Sequence, residues 1–274
     1  MSIAVTADDF GASVAVNEAV ERAHREGVLT HASLMVAGAA AADAVQRAHR
    51  LPNLRVGLHL VAIEGRAVLK PAEIPDLVDA NGCFPNAPLR LGLRYAFARA
   101  ARAQLAAEIR AQFAAFAATG LTLHHADAHK HMHLHPTVGA LLLEIGRGFG
   151  LKRIRVPAEP PATLRAAGWR PGVAAHVLHA WCGVLRAQAR ARGIDPGGAV
   201  FGLACSGQMT EARVMALLDH LPPSTSEIYF HPGAQVPDGE LAALLSPRVR
   251  AALAASGAAA PATAPACRAA CKPG

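Results

Sequence analysis

A chain of 274 residues with 52% hydrophobic content can bury a full core, and its length suits one large α/β domain. The formal charge of +7 could serve nucleic acid, an anionic membrane or no partner at all, but aromatics make up only 4% and no Lys/Arg block interleaves with them. Nucleic acid is therefore excluded as the expected partner. Five cysteines (Cys83, Cys182, Cys205, Cys267, Cys271) are odd in number and form no CxxC, which suits a reducing compartment better than a disulfide framework. Met1-Ser2-Ile3-Ala4-Val5 lacks the basic and long apolar regions of a signal peptide, and no apolar run approaches the roughly 20 residues of a membrane span. A cytoplasmic location is the expectation.

Ile3–Ala7 reads as a buried strand ending in Asp8-Asp9-Phe10-Gly11. Ser13 is placed to cap a helix whose Val16, Ala19, Val20 and Ala23 share one face, with Gly27 as its stop. A strand at Ala32–Val36, a helix at Ala39–Arg50 and a strand at Arg55–Leu60 follow. Residues 62–88 carry many Pro, Gly, Asn and Asp residues and predict a long irregular loop. From about Leu89 helical sequence resumes, with Leu105, Ile109, Phe113 and Phe116 as its apolar stripe, and Gly120 closes it.

Leu121–His125 predicts another strand, and Pro136 fits the first turn of a helix ending near Gly148. Further strands are predicted at Arg153–Val156, Ala199–Ala204 and Glu227–Phe230, with helices on both sides of Pro171 and at Thr210–His220. After about Ser256 the chain is Ala/Pro-rich and predicts a disordered tail, leaving 1–255 as the single catalytic domain. The alternation predicts an α/β fold with about seven parallel strands, as a TIM-barrel-like ring or an open sheet. Polar clusters follow the first, third, fourth and last strands. In a (β/α) barrel those strand ends share one rim, where active sites are built.

Asp8-Asp9 offers two carboxylates at one strand end. Adjacent strand residues point to opposite sides, so both serve one site only if the backbone is already turning. Such a pair also caps helices, and a lone histidine like His59 at a strand end is commonly a packing residue. The segment from His124 to Pro136 is less ordinary: seven of its thirteen residues are His or Asp. Six of them, His125, Asp127, His129, His131, His133 and His135, share one parity and would face one way if extended. One or two of them are expected on a metal, with others as a supporting layer or substrate contacts. His231, in Tyr-Phe-His-Pro-Gly, ends the last strand.

One carboxylate with two imidazoles makes a three-ligand site with open positions, suited to Zn²⁺ and also to Mn²⁺, Fe²⁺ or Co²⁺. A second carboxylate as base and a further histidine as acid complete the parts for amide hydrolysis. A metal-dependent phosphoesterase is the competing class, although two-metal phosphatases use more carboxylates than are visible. A non-catalytic metal- or sugar-binding protein would need neither acid nor base.

Together, Ala7-Asp8-Asp9-Phe10-Gly11, Gly57-Leu58-His59-Leu60, the His125-x-Asp127-x-His129-x-His131-x-His133 run and His231-Pro232-Gly233 resemble the YdjC-like carbohydrate deacetylases. The resemblance implies a distorted (β/α) barrel and removal of acetyl from N-acetylated chitooligosaccharides. It implies Asp9, His59 and His129 as metal ligands, Asp8 as general base and His231 as general acid. Members are often described with Mg²⁺, whereas two imidazoles favour Zn²⁺ on hard–soft grounds; one divalent ion is expected. The Arg153-Ile154-Arg155-Val156-Pro157-Ala158-Glu159-Pro160 segment and Leu244-Leu245-Ser246-Pro247-Arg248-Val249-Arg250 are similar to the hopanoid-biosynthesis-associated branch. That similarity implies a glycolipid substrate, an N-acetylglucosaminyl hopanoid. Arg155, with His125, Asp127, His131 and His133, is expected around the site as a supporting or substrate-contacting residue. Residues 88–102 mix Arg with Leu, Tyr and Phe, as expected either of a helix resting on an anionic membrane or of a lid helix packed on the barrel. Oligomeric state is not readable from the sequence.

Overall fold

A computed structural model describes residues 2–234 and 237–256. The predicted tail and its Cys267 and Cys271 lie outside the described residues. Among the described residues, no helix is long and apolar enough to cross a membrane.

The chain runs β1 (Ile3–Phe10), α1 (Val14–Glu26), β2 (His31–Leu34), α2 (Ala41–His49), β3 (Arg55–Leu60), β4 (Gly65–Arg66), β5 (Cys83–Phe84), α3 (Pro88–Phe97), α4 (Arg99–Ala118) and β6 (Ala126–Ala128). A 3₁₀ turn, His129–Leu134, leads to α5 (Pro136–Gly148), α6 (Pro161–Ala166), α7 (Val173–Arg190), β7 (Ala199–Phe201), α8 (Glu211–Leu218), β8 (Ser226–Phe230), α9 (Gly239–Leu245) and α10 (Pro247–Ala255).

Six strands form one parallel sheet in the order β6-β3-β2-β1-β8-β7, curled into a half-barrel with helices packed around it. Val5, Ala7, Leu34, Val56, Leu58, Ala126, Ile228 and Phe230 are buried on one face and Thr6, Ser33, His59, Asp127 and Tyr229 on the other, as expected of a parallel sheet covered on both faces. The Ser13 hydroxyl caps α1 by accepting from the Val16 N–H at 3.2 Å, and Val16, Ala19, Val20 and Ala23 turn inward as their spacing requires.

Three expectations need correction. The strand expected at Arg153–Val156 is not a regular strand: it makes single parallel bridges, Ile154 to Ala126 and Arg153 to Asp195. Two proline-bounded residues further on, Ala158 still accepts from the Val200 N–H at 3.3 Å, so this irregular segment spans the gap between β6 and β7. The strand expected at Leu121–His125 is displaced to Ala126–Ala128, although the His124 N–H still bonds to Val56 and the Leu58 N–H to His125. The 62–88 stretch contains the β4–β5 hairpin and is anchored to α4. The Glu108 carboxylate accepts from the Val68 and Leu69 N–H groups at 2.9 Å each, and Gln112 brackets the Val61 peptide. Buried polar side chains on α4, outside its apolar stripe, thus fix a segment with little regular structure of its own. The helices α9 and α10, at 239–255, go beyond the elements predicted.

Candidate active site

At the end of β1 the backbone turns. Register with β2 shifts between Ala7 and Phe10, and Asp9 takes φ of 59°, the left-handed region. Gly11 follows at φ of +96°, where a Cβ would lie 2.9 Å from the Met35 carbonyl oxygen. This bulge breaks the strand alternation, so Asp8 is buried while the Asp9 side chain is 21% exposed.

Asp9 is where two imidazoles meet. Its Oδ1 lies 3.2 Å from His59 Nε2 and 3.0 Å from His129 Nδ1. His59 ends β3, two strands away from β1, and His129 follows β6. Each of the three offers one ligand atom within 4.8 Å of the others. Burial pushes the Asp9 carboxyl up, but hydrogen bonds with His129 and His59 outweigh it and hold the group well below the usual range.

Behind this trio is a buried layer. His59 Nδ1 donates to Asp127 Oδ1 at 2.7 Å. The other oxygen of Asp127 accepts from the Ser33 hydroxyl at 2.7 Å and contacts Arg155 at 2.8 Å. His125 Nε2 lies 3.1 Å from the same Ser33 hydroxyl. The ring fits there because β3 carries Gly57, whose Cβ would sit 2.5 Å from it. Burial pushes His59 down, yet the Asp127 charge and the bonds to Asp127 and Asp9 raise it to about 10.

Arg155 sits among three carboxylates. Its guanidinium donates to Asp8 Oδ2 at 2.7 Å and to Glu227 Oε1 at 2.8 Å, besides contacting Asp127, and its carbon stands 5.0 Å from the centre of the Tyr229 ring. Burial disfavours its charge, but the carboxylates hold its pKa well above the ordinary value. Asp8 Oδ1 is buried with no hydrogen-bond partner.

The histidine run does not stay extended. Lys130 and His131 have φ of 50° and 53°, which curls the chain and sends successive imidazoles apart. His129 reaches Asp9, His131 Nε2 is hydrogen-bonded to the Tyr229 hydroxyl at 2.9 Å, and His133 donates to the Arg155 carbonyl at 2.9 Å. The His135 ring packs 6.0 Å from that of Tyr95. Burial pushes His133 down to about 4 and His131 well below its ordinary value, so both are neutral donors and acceptors in the scaffold. His231 follows β8 with its ring 5.6 Å from that of Tyr229, and its backbone N–H donates to Glu240.

Glu227, Ser33, Tyr229 and Glu240 escaped the sequence reading. The available signal was a polar residue inside an otherwise apolar strand: Ser33 in His-Ala-Ser-Leu and Glu227 in Ser-Glu-Ile-Tyr-Phe.

A second group, Asp8, His59 and Asp127, also has ligand atoms within 4.8 Å. The Arg155 guanidinium already touches both of its carboxylates, so a cation there would meet a fixed positive charge. The donor chemistry therefore favours Asp9, His59 and His129, where His59 is also oriented from behind by Asp127. A cleft of about 450 Å³ reaches Asp9 and His129 of this trio and is walled in part by Met35, Val61, Glu64, Arg66 and Lys130.

Fold and site together define a parallel α/β half-barrel carrying an Asp–His–His group on the rim at the C-terminal ends of its strands. The chain belongs to the YdjC-like protein family, whose sequence model matches residues 2–255. Similar proteins include the carbohydrate deacetylases of Brevibacillus brevis and Geobacillus stearothermophilus, each 38% identical over 161 residues, 59% of this chain and 60% of theirs. The carbohydrate deacetylase of Oceanobacillus iheyensis is 32% identical over 170 residues, 60% of this chain and 67% of its own. The chain thus aligns with less than two thirds of the first two relatives. An Enterococcus faecalis V583 crystal structure, named for cellobiose-phosphate cleavage, shares the fold with a TM-score of 0.74 at 20% identity, covering 94% of this chain and 95% of that one.

Proposed function

We propose that this protein is a metal-dependent N-deacetylase of a carbohydrate, built as a single catalytic domain over residues 1–255. The observation that carries the reading is the meeting of Asp9 Oδ1, His59 Nε2 and His129 Nδ1 beside Asp8, a buried carboxylate with one oxygen clamped and one unpartnered. The carbohydrate deacetylases among the relatives support the substrate class.

Asp9, His59 and His129 are the residues that would hold one divalent ion, Zn²⁺ in preference to Mg²⁺ because two donors are imidazole nitrogens. Bound there, it would polarise the acetyl carbonyl and bring the pKa of water to about 7. Asp8 takes the proton of the attacking water at Oδ1, the oxygen left without a partner when Arg155 engages Oδ2. As the carbon–nitrogen bond breaks, His231 gives a proton to the leaving nitrogen, yielding acetate and a free amine. With the ion bound, Asp127, itself held by Ser33, would keep the His59 proton on Nδ1 and leave Nε2 free to ligate. His125, His131, His133 and Arg155 build the surrounding scaffold through the contacts described above. Glu64, Arg66 and Lys130 line the cleft with groups able to bond sugar hydroxyls.

The preferred substrate is an N-acetylglucosaminyl glycolipid of the hopanoid kind, with a soluble chitooligosaccharide as the alternative, and the proposed location is the cytoplasm or the inner face of its membrane. A two-metal phosphoesterase is disfavoured because Arg155 neutralises the carboxylates a second ion would need. Acetate release from an N-acetylglucosaminyl hopanoid and from diacetylchitobiose, measured side by side, tests the reading. Release from the lipid alone supports the lipid-linked substrate; release from the sugar alone keeps the chemistry and removes the lipid. Release from neither, with phosphate-ester hydrolysis instead, overturns the deacetylase.

A further inference from the structure

Seven of the nine large apolar side chains exposed among the described residues lie on just two helices, α3 and α7. On α3 they are Leu89, Leu93 and Phe97, exposed by 77%, 52% and 81% and spaced four apart on one stripe. The same helix turns Leu91 and Tyr95 into the core, so it is apolar on two faces where packing requires only one. On α7 the outward stripe is Val173, Val177, Trp181 and Val184, while Cys182, Leu185 and Ala189 face inward.

The two helices flank one place in the fold. The Trp181 indole donates to the Leu134 carbonyl at 2.9 Å, and on the other side Gly92 and Tyr95 of α3 face the His135 ring. Residues 134–135 link the turn that carries His129 to the start of α5. Both helices therefore pack beside the turn that carries His129, on the side of the fold that bears the candidate site, with their apolar stripes turned outward.

Charge is distributed to match. Between Asp79 and Glu108 there is no acidic residue but four arginines, Arg90, Arg94, Arg99 and Arg102. Between Glu159 and Asp195 there is again none, and five arginines. The 20 acidic residues of the chain all fall elsewhere. Apolar stripes set among arginines without carboxylates match the boundary of an anionic bilayer, where apolar side chains enter the acyl region and guanidinium groups meet headgroup phosphates. A second copy of this chain fits poorly, because pairing the surface with itself would bring arginines against arginines.

We propose that α3 and α7 form a peripheral docking surface for an anionic phospholipid bilayer, with the rim of the half-barrel turned toward the headgroups. That this would present the cleft to a lipid-linked sugar rests on the deacetylase reading. The docking itself does not, and it is read without turnover.

The test is sedimentation of the full chain with vesicles of phosphatidylcholine plus phosphatidylglycerol, against phosphatidylcholine alone, at low and high salt. Binding to the anionic vesicles that weakens as salt rises is expected. L93S/F97S and V173S/V177S should each weaken it about tenfold or more, since their side chains leave water on docking. Arg90→Gln with Arg99→Gln should weaken it at low salt. These side chains are exposed, so circular dichroism and melting should match the parent. Equal binding to neutral vesicles, or none to either, overturns the proposal. So does a stable dimer in sedimentation equilibrium that the serine variants dissociate, because the stripes would then be a subunit interface.

Discussion

Asp127 grips His59 by its Nδ1 at 2.7 Å, which leaves the opposite nitrogen of the same ring 3.2 Å from Asp9. One buried carboxylate thereby sets the tautomer and the aim of a proposed metal ligand without touching the metal position itself. Asp127→Asn should keep the ring in place but weaken its hold. Zinc affinity is expected to fall about 10- to 100-fold, measured by competition with a chromogenic chelator. Unchanged affinity would remove Asp127 from this role.

Asp8 and Asp9 are neighbours in sequence whose side chains the bulge sends to different partners, in line with the separate duties proposed for them. Asp8→Asn should retain the metal and lose about 10²- to 10⁴-fold in turnover. Metal content by atomic absorption, alongside acetate release, checks the division. Loss of metal in Asp8→Asn would reverse the assignment of the two carboxylates.

Arg155 contacts Asp8, Asp127 and Glu227 at once, at 2.7–2.8 Å. Arg155→Leu should destabilise the fold by about 3–5 kcal/mol, because it leaves buried carboxylates uncompensated. Urea unfolding measures this. Arg155→Lys keeps the charge but not the fork, so turnover should fall by more than stability does.

At the other end of the barrel, burial and then the neighbouring His125 and His124 push His31 down to about 2. The folded state keeps that imidazole neutral where the unfolded chain, with an ordinary value of 6.5, takes up a proton. Stability contributed by neutral His31 is therefore complete above pH 6.5 and declines as pH falls below it, by up to about 1.4 kcal/mol per pH unit. Melting temperature should drop between pH 6.5 and about pH 5, and His31→Gln should flatten that slope. A variant with the parent slope would contradict the assignment.

Much of this was legible because it follows from local pattern. The period-two and helical spacings placed most strands and helices, and polar residues at strand ends pointed to one rim. The reading that two adjacent carboxylates require a turning backbone matches the left-handed Asp9. What escaped was long-range. Nothing near Glu227 in sequence announces Arg155, 72 residues away. The divergence of His129, His131 and His133 depends on positive φ at Lys130 and His131, which an alternating sequence does not reveal. The irregular Arg153–Val156 segment had the composition of a strand, but its closing partners are single residues of distant segments.

The most direct test of the central claim is acetate release from diacetylchitobiose and from an N-acetylglucosaminyl hopanoid by chelator-stripped protein, before and after Zn²⁺ is restored. Release that stops on stripping, returns with about one equivalent of Zn²⁺, and stays absent in His59→Ala is the predicted result. Acetate release at full rate from the stripped protein, or from His59→Ala, would contradict it.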